Sequence, residues 1–236
     1  FEKNCSWYNS EKLNCYNGTR IKEEPKCPSG RLPEAVKRER RNIMTNKQNI
    51  KRTAELAILT AIVIAFQFLG AFIHIGPTSI SLVLIPIVIG AVLTGPKGGA
   101  FLGFIFGAMT YIAGVSGTDY FTTVLFQAQP IATAVICLGK GICAGLCAGL
   151  IYRALAKKNA FAASIAAAAV APIVNTGLFI LGGLLLVNGT LSANLANFGA
   201  DGQTVVYFLI IGCAGLNFIA EFLVNLVVSP AINTIV

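Results

Sequence analysis

Charged side chains are scarce in this sequence: 12% of its 236 residues are Asp, Glu, Lys or Arg, about half the ~25% of a soluble domain. That shortage excludes a disordered chain and argues against an ordinary soluble enzyme, whose surface needs charge. Histidine is almost absent, with His74 alone, so no histidine-based metal centre can be built from the chain. No GxxxxGK[ST] occurs, which excludes ATP hydrolysis through a P-loop. There is no HExxH, no carboxylate cluster and no Ser/His/Asp arrangement, so no catalytic chemistry is indicated. Neither a cofactor nor a metal is expected. Only four acidic residues follow Met44 (Glu55, Asp119, Asp201 and Glu221), which leaves little for a proton or sodium relay.

What remains is apolar. Hydrophobic residues make up 55% of the chain, and the mean hydropathy is +0.72. The bilayer is the expected solvent. The formal charge of +8 could suggest nucleic acid, but its distribution excludes a basic patch on a fold. Residues 1–43 carry ten Lys/Arg and six Asp/Glu, and residues 44–236 carry eight and four.

Residues 1–43 form a polar tail with no apolar periodicity, containing Cys5, Cys15, Cys27 and Trp7. Three cysteines without a nearby histidine do not match a zinc spacing. A disulfide module, a cytoplasmic extension and an untranslated leader are the three readings, and the leader is preferred. Met44 opens a basic lead-in, and Arg40-Arg41 encoded by AGG codons would spell AGGAGG, a ribosome-binding sequence, just upstream. The functional domain is therefore expected to be 44–236, with 1–43 a leader or disordered.

Six apolar segments come after the tail, at about 53–73, 79–95, 97–115, 130–153, 161–187 and 204–229, each near the ~17–25 residues of a spanning helix. The fold expected is all-α: a compact bundle of six transmembrane helices. Pro86 inside the second segment predicts a kink. Lys47, Lys51, Arg52, Lys97, Arg153, Lys157 and Lys158 all fall in alternate connections, and loops 74–78, 116–129 and 188–203 contain no Lys or Arg. The positive-inside rule then places both termini in the cytoplasm. Gly141, Gly145 and Gly149 repeat every four residues, a spacing that lets helix backbones approach closely.

Charge inside a membrane is costly, roughly 2.5–3.5 kcal/mol on insertion scales, and is retained for a purpose. Lys140 and Glu221 both fall mid-segment, and Asn217 and Asn225 flank Glu221 at i−4 and i+4. Asn175 adds an amide from the fifth segment. These helices are expected to converge on one polar cavity, with Lys140 binding a substrate anion. A Lys140–Glu221 ion pair that merely orients helices is the competing reading. It is weakened by a ~10 Å difference in depth at ~1.5 Å rise per residue. His74, Tyr120 and Gln127 lie on the outer loops, where they could meet a ligand.

Ala57, Ala61 and Ala65, then Leu84-Ile85-Pro86-Ile87-Val88-Ile89-Gly90-Ala91 and Gly95-Pro96-Lys97-Gly98-Gly99-Ala100-Phe101-Leu102-Gly103, resemble the substrate-binding S components of energy-coupling factor (ECF) vitamin transporters. The resemblance runs over about 50–232. It implies a six-helix protein of the bacterial cytoplasmic membrane that captures a vitamin from outside. It implies association with a transmembrane coupling protein and two cytoplasmic ATPases, which supply energy in trans. Ala57, Ala61 and Ala65 would dock on the coupling protein. The pocket would be built from the loops at 74–81 and 116–129 with Lys140, Asn175, Asn217, Glu221 and Asn225. A lysine among asparagines favours a carboxylate with hydroxyl or amide groups, and pantothenate is the first choice of vitamin. A structural scaffold and a stand-alone secondary transporter are the alternatives from other classes.

Overall fold

The computed structural model describes residues 34–70, 74–75, 78–79 and 82–235. Residues 1–33 lie outside the described set, and with them Trp7, Cys5, Cys15 and Cys27 of the tail. The chain divides into two compact units, Phe1–Gln48 and Asn49–Val236. In the first, the described residues are helical from Glu34 onward. The second holds the apolar segments.

Helix dominates throughout: α1 (Glu34–Gly70), α2 (Leu84–Thr94), α3 (Pro96–Ser116), α4 (Tyr120–Ala128), α5 (Pro130–Leu155), α6 (Ala160–Leu186), α7 (Asn188–Asn194), α8 (Val205–Tyr207) and α9 (Leu216–Ile235). A π-helical segment, Phe208–Gly215, joins α8 to α9 without a break. Between α1 and α2, His74–Ile75 pairs antiparallel with Thr78–Ser79. Among the described residues, five stretches are long and apolar enough to cross a membrane: Asn49–Gly70, Pro96–Ser116, Pro130–Leu155, Ala160–Leu186 and Val205–Ala231. The sixth apolar segment is α2, only 11 residues long and so ~16 Å at 1.5 Å per residue, short of the ~30 Å hydrocarbon core. Leu84, Ile87, Val88 and Ala91 of α2 are fully buried, so it completes the bundle from within.

Local chemistry fixes the ends. Gly95 adopts φ 87°, open to glycine without strain, and Pro96 then occupies the first turn of α3, where its missing N–H costs nothing. Pro130 starts α5 in the same way. Pro86 also falls in a first turn, that of α2, so the expected kink is instead a helix start. Asn159 caps α6 by accepting the Ala162 N–H at 3.2 Å. The span 116–129 reads as loop in the sequence, but Asp119 and the apolar run after it begin the nine-residue α4.

α3 and α5 cross at glycine. A Cβ on Gly99 would strike the Gly145 carbonyl, one on Gly103 the Gly141 carbonyl, and one on Gly107 the Cys137 carbonyl. The rising and falling numbers show an antiparallel pair with its backbones in contact. The Gly141 row read from the sequence thus has a matching row at Gly99, Gly103 and Gly107. This pairing sets Lys97 at the same end as Arg153, Lys157 and Lys158, which are all exposed. Ser116, α4 and the start of α5 form the opposite end. Outward faces stay apolar: Ile131, Leu185 and Val227 are 81%, 79% and 78% exposed, as lipid-facing side chains should be.

Candidate functional site

A cavity of about 90 Å³ opens among α1, α3, α4, α5, α6 and the last helix. Four of the residues read from sequence line it: Lys140, Asn175, Asn217 and Glu221. Helices far apart in the chain thus deliver their intramembrane polar groups to one space.

Lys140 projects from α5 beside the glycine contact. Its Nζ sits 5.3 Å from the Phe179 ring centroid and 5.6 Å from that of Phe106, a cation–π arrangement. Among the described residues it makes no salt bridge; rings hold the ammonium, not a carboxylate. Phe106 comes from α3, so the close α3–α5 approach is what brings ring and cation together. Phe179 stands one turn along α6 from Asn175. Asn175 is 6% exposed, and its Oδ1 is buried with no hydrogen-bond partner among the described residues. Glu221 is 2% exposed.

The remaining expected residues stand elsewhere. Asn225 is buried, but its Nδ2 donates to the Glu221 backbone carbonyl at 2.8 Å, so its amide is engaged within its own helix. Tyr120 is exposed and meets the Phe198 ring edge-on at 5.8 Å. Gln127 is exposed on α4. Neither lines the cavity. His74 lies in the paired segment after α1, and its side chain is outside the described set.

The loop 116–129, expected to help build the pocket, supplies Thr118, Asp119, Phe121 and Thr122, while other lining residues were not singled out in the sequence. Asp119 lines the cavity just before α4, and its Oδ2 accepts from Thr122 Oγ1 at 2.6 Å. Gln67, Phe106, Thr110, Thr176, Phe179 and Phe218 also contribute. Those from Gln67 to Phe218 carry no charge and read in the sequence as ordinary helix residues. Above the cavity, Phe121 packs against Phe179 at 5.7 Å, Phe198 at 5.2 Å and Phe208 at 6.3 Å. Phe198 comes from the stretch after α7, so this aromatic cluster ties the connection between α3 and α5 to the one between α6 and α8.

The cavity therefore lies toward the α4 end of the bundle, opposite Lys97, Arg153, Lys157 and Lys158. A family model described as "ECF transporter, substrate-specific component" matches residues 52–233. The chain belongs to that family. No individual curated protein matches it significantly. As an ECF substrate-specific component it is a multi-pass subunit of the cytoplasmic membrane. Such a subunit meets a small-molecule substrate and works with an ECF module that carries the ATPases and a transmembrane component. It is a transporter subunit.

Proposed function

We propose that this S component captures a water-soluble, carboxylate-bearing vitamin or precursor from outside the cell, with pantothenate the first choice. Lys140 takes the carboxylate, and Asn175, Asn217 and Glu221 read its polar groups. The observation that carries the reading is the convergence of these four intramembrane residues on one cavity, away from the basic end. Lys140 rests on two rings and makes no salt bridge among the described residues, which leaves its ammonium open to an incoming anion. A scaffold protein would have had reason to pair Lys140 with Glu221.

Both termini are cytoplasmic in this reading. The supporting pattern is the shared end of Lys97, Arg153, Lys157 and Lys158 and the absence of Lys/Arg from the opposite connections. Ala57, Ala61 and Ala65 dock on the transmembrane coupling protein, and two cytoplasmic ATPases energise release in trans. All three alanines lie on α1 away from the buried core, which leaves the row available to a partner helix. Asn225 supports Glu221 from one turn away, and His74, Tyr120 and Gln127 belong to the outer entrance.

Thermal shift with a panel of vitamins on the purified protein tests this. A ligand that binds only the folded state stabilises by mass action, roughly 4 kcal/mol at a thousandfold excess over Kd. Pantothenate should raise the unfolding temperature of the wild type. No shift with any vitamin of the panel would sink the capture reading.

A further inference from the structure

Most threonines of the cavity wall spend their protons within the protein. Four threonines line the cavity: Thr110, Thr118, Thr122 and Thr176. Each hydroxyl has one proton. Thr110 gives its proton to the Phe106 carbonyl at 3.0 Å, and Thr118 to the Ala113 carbonyl at 3.2 Å. Thr122 gives its proton to Asp119 at 2.6 Å. These three hydroxyls offer the cavity lone pairs only.

Two acceptors of the wall have capacity left over. Asn175 is 6% exposed and lines the cavity, and its buried Oδ1 has no partner among the described residues. A buried acceptor left unmet in a native structure calls for an explanation. Asp119 is the second. As the residue before α4 it would ordinarily accept from the amides of the first helical turn. It makes no such bond; its carboxylate faces Thr122 and the cavity, with acceptor capacity left over. These groups are close in the fold. Phe121, two residues after Asp119, meets Phe179 at 5.7 Å; Phe179 is one turn from Asn175 and 5.3 Å from the Lys140 ammonium.

We propose that Asp119 and Asn175 form a donor-reading subsite, so that the substrate must bring hydroxyl or N–H groups to them besides the anion it offers to Lys140. This rests on the capture reading above and narrows it to carboxylates bearing hydrogen-bond donors. A carboxylate without donors satisfies Lys140 but leaves the Asn175 acceptor unmet, and is rejected. Discrimination of this kind is steep, because a buried polar group is left unpaired in the wrong complex.

The experiment measures Kd by calorimetry on the full chain for pantothenate, biotin, folate, riboflavin, thiamine and lipoate. Lipoate is the control: it has a carboxylate and neither a further hydroxyl nor an N–H. Asn175→Leu and Asp119→Asn are measured beside the wild type, with unfolding temperatures of the ligand-free proteins. A vitamin bearing both a carboxylate and donors should bind the wild type best; riboflavin or thiamine binding best would overturn both this subsite and the carboxylate reading it rests on. Both variants should weaken it at least tenfold, and ligand-free Asn175→Leu should unfold no earlier than the wild type, since it loses only an unmet acceptor. If lipoate binds best, if either variant binds as tightly as the wild type, or if ligand-free Asn175→Leu is destabilised, the donor-reading subsite is wrong and the capture reading stands. If nothing in the panel binds the wild type, both fall.

Discussion

Gly103→Ala should do damage out of proportion to one methyl group. The added Cβ would strike the Gly141 carbonyl oxygen and stand 2.6 Å from its carbon and 3.1 Å from Ile142 N. Carbon atoms in ordinary contact are ~3.5–4.0 Å apart, so α3 and α5 must separate by about 1 Å. Both sides of the clash are backbone, and no rotamer change relieves it. Overpacking typically costs ~1–3 kcal/mol, and this site belongs at the upper end. With ~2–4 °C per kcal/mol for a chain of this size, the unfolding temperature should fall by roughly 6–12 °C. Binding should suffer too, because separation carries Lys140 on α5 away from Phe106 on α3, now 5.6 Å apart. Gly139→Ala is the matched control: a Cβ there meets nothing within 4 Å. Alanine is favoured over glycine in a helix by ~1 kcal/mol, so this variant should be neutral or stabilised. The assay is a thermal melt in detergent with and without substrate. A Gly103→Ala melt within about 2 °C of wild type, less than the ~1 kcal/mol floor for overpacking, or equal damage from Gly139→Ala, would refute the backbone-contact argument.

Two other substitutions probe separate parts of the molecule. Asn159→Ala removes the side-chain cap that accepts the Ala162 N–H; it should cost ~1 kcal/mol, read as a melt roughly 2–4 °C lower with ligand affinity unchanged. Ala61→Trp fills the exposed small-residue row of α1; ligand binding by the isolated protein should persist while cellular uptake is lost, and normal uptake would remove the docking assignment.

Much of this was legible in the sequence because a bilayer imposes blunt rules. Apolar length marked the spans, and Gly95-Pro96 and Pro130 marked helix starts through backbone chemistry that needs no tertiary context. The high cost of intramembrane charge drew attention to Lys140 and Glu221 before any helix had a place. Other features depended on which helices meet. Phe106 and Phe179 are ordinary aromatic residues until α3 and α6 bring them to Lys140. Gly103 gains its meaning from Gly141, 38 positions away in the chain. Asp119 read as a loop acid because its carboxylate's partner, Thr122, is set by α4, a short helix whose apolar run was too brief to register. Pro86 was ambiguous for a related reason: whether a proline kinks or starts a helix depends on where the helix begins. Asn225 read as part of a polar stripe, yet the same i−4 spacing lets it bond its own backbone.

The central claim is that Lys140 holds the anionic end of a captured vitamin inside the bundle. The direct measurement is the Kd of pantothenate for wild type, Lys140→Ala and Lys140→Arg, each checked for a preserved melt. Binding to the wild type should be saturable, Lys140→Ala should lose at least about a hundredfold, about 2.8 kcal/mol at 1.4 kcal/mol per tenfold, and Lys140→Arg should recover part of it. Tight binding that survives in Lys140→Ala would contradict the claim.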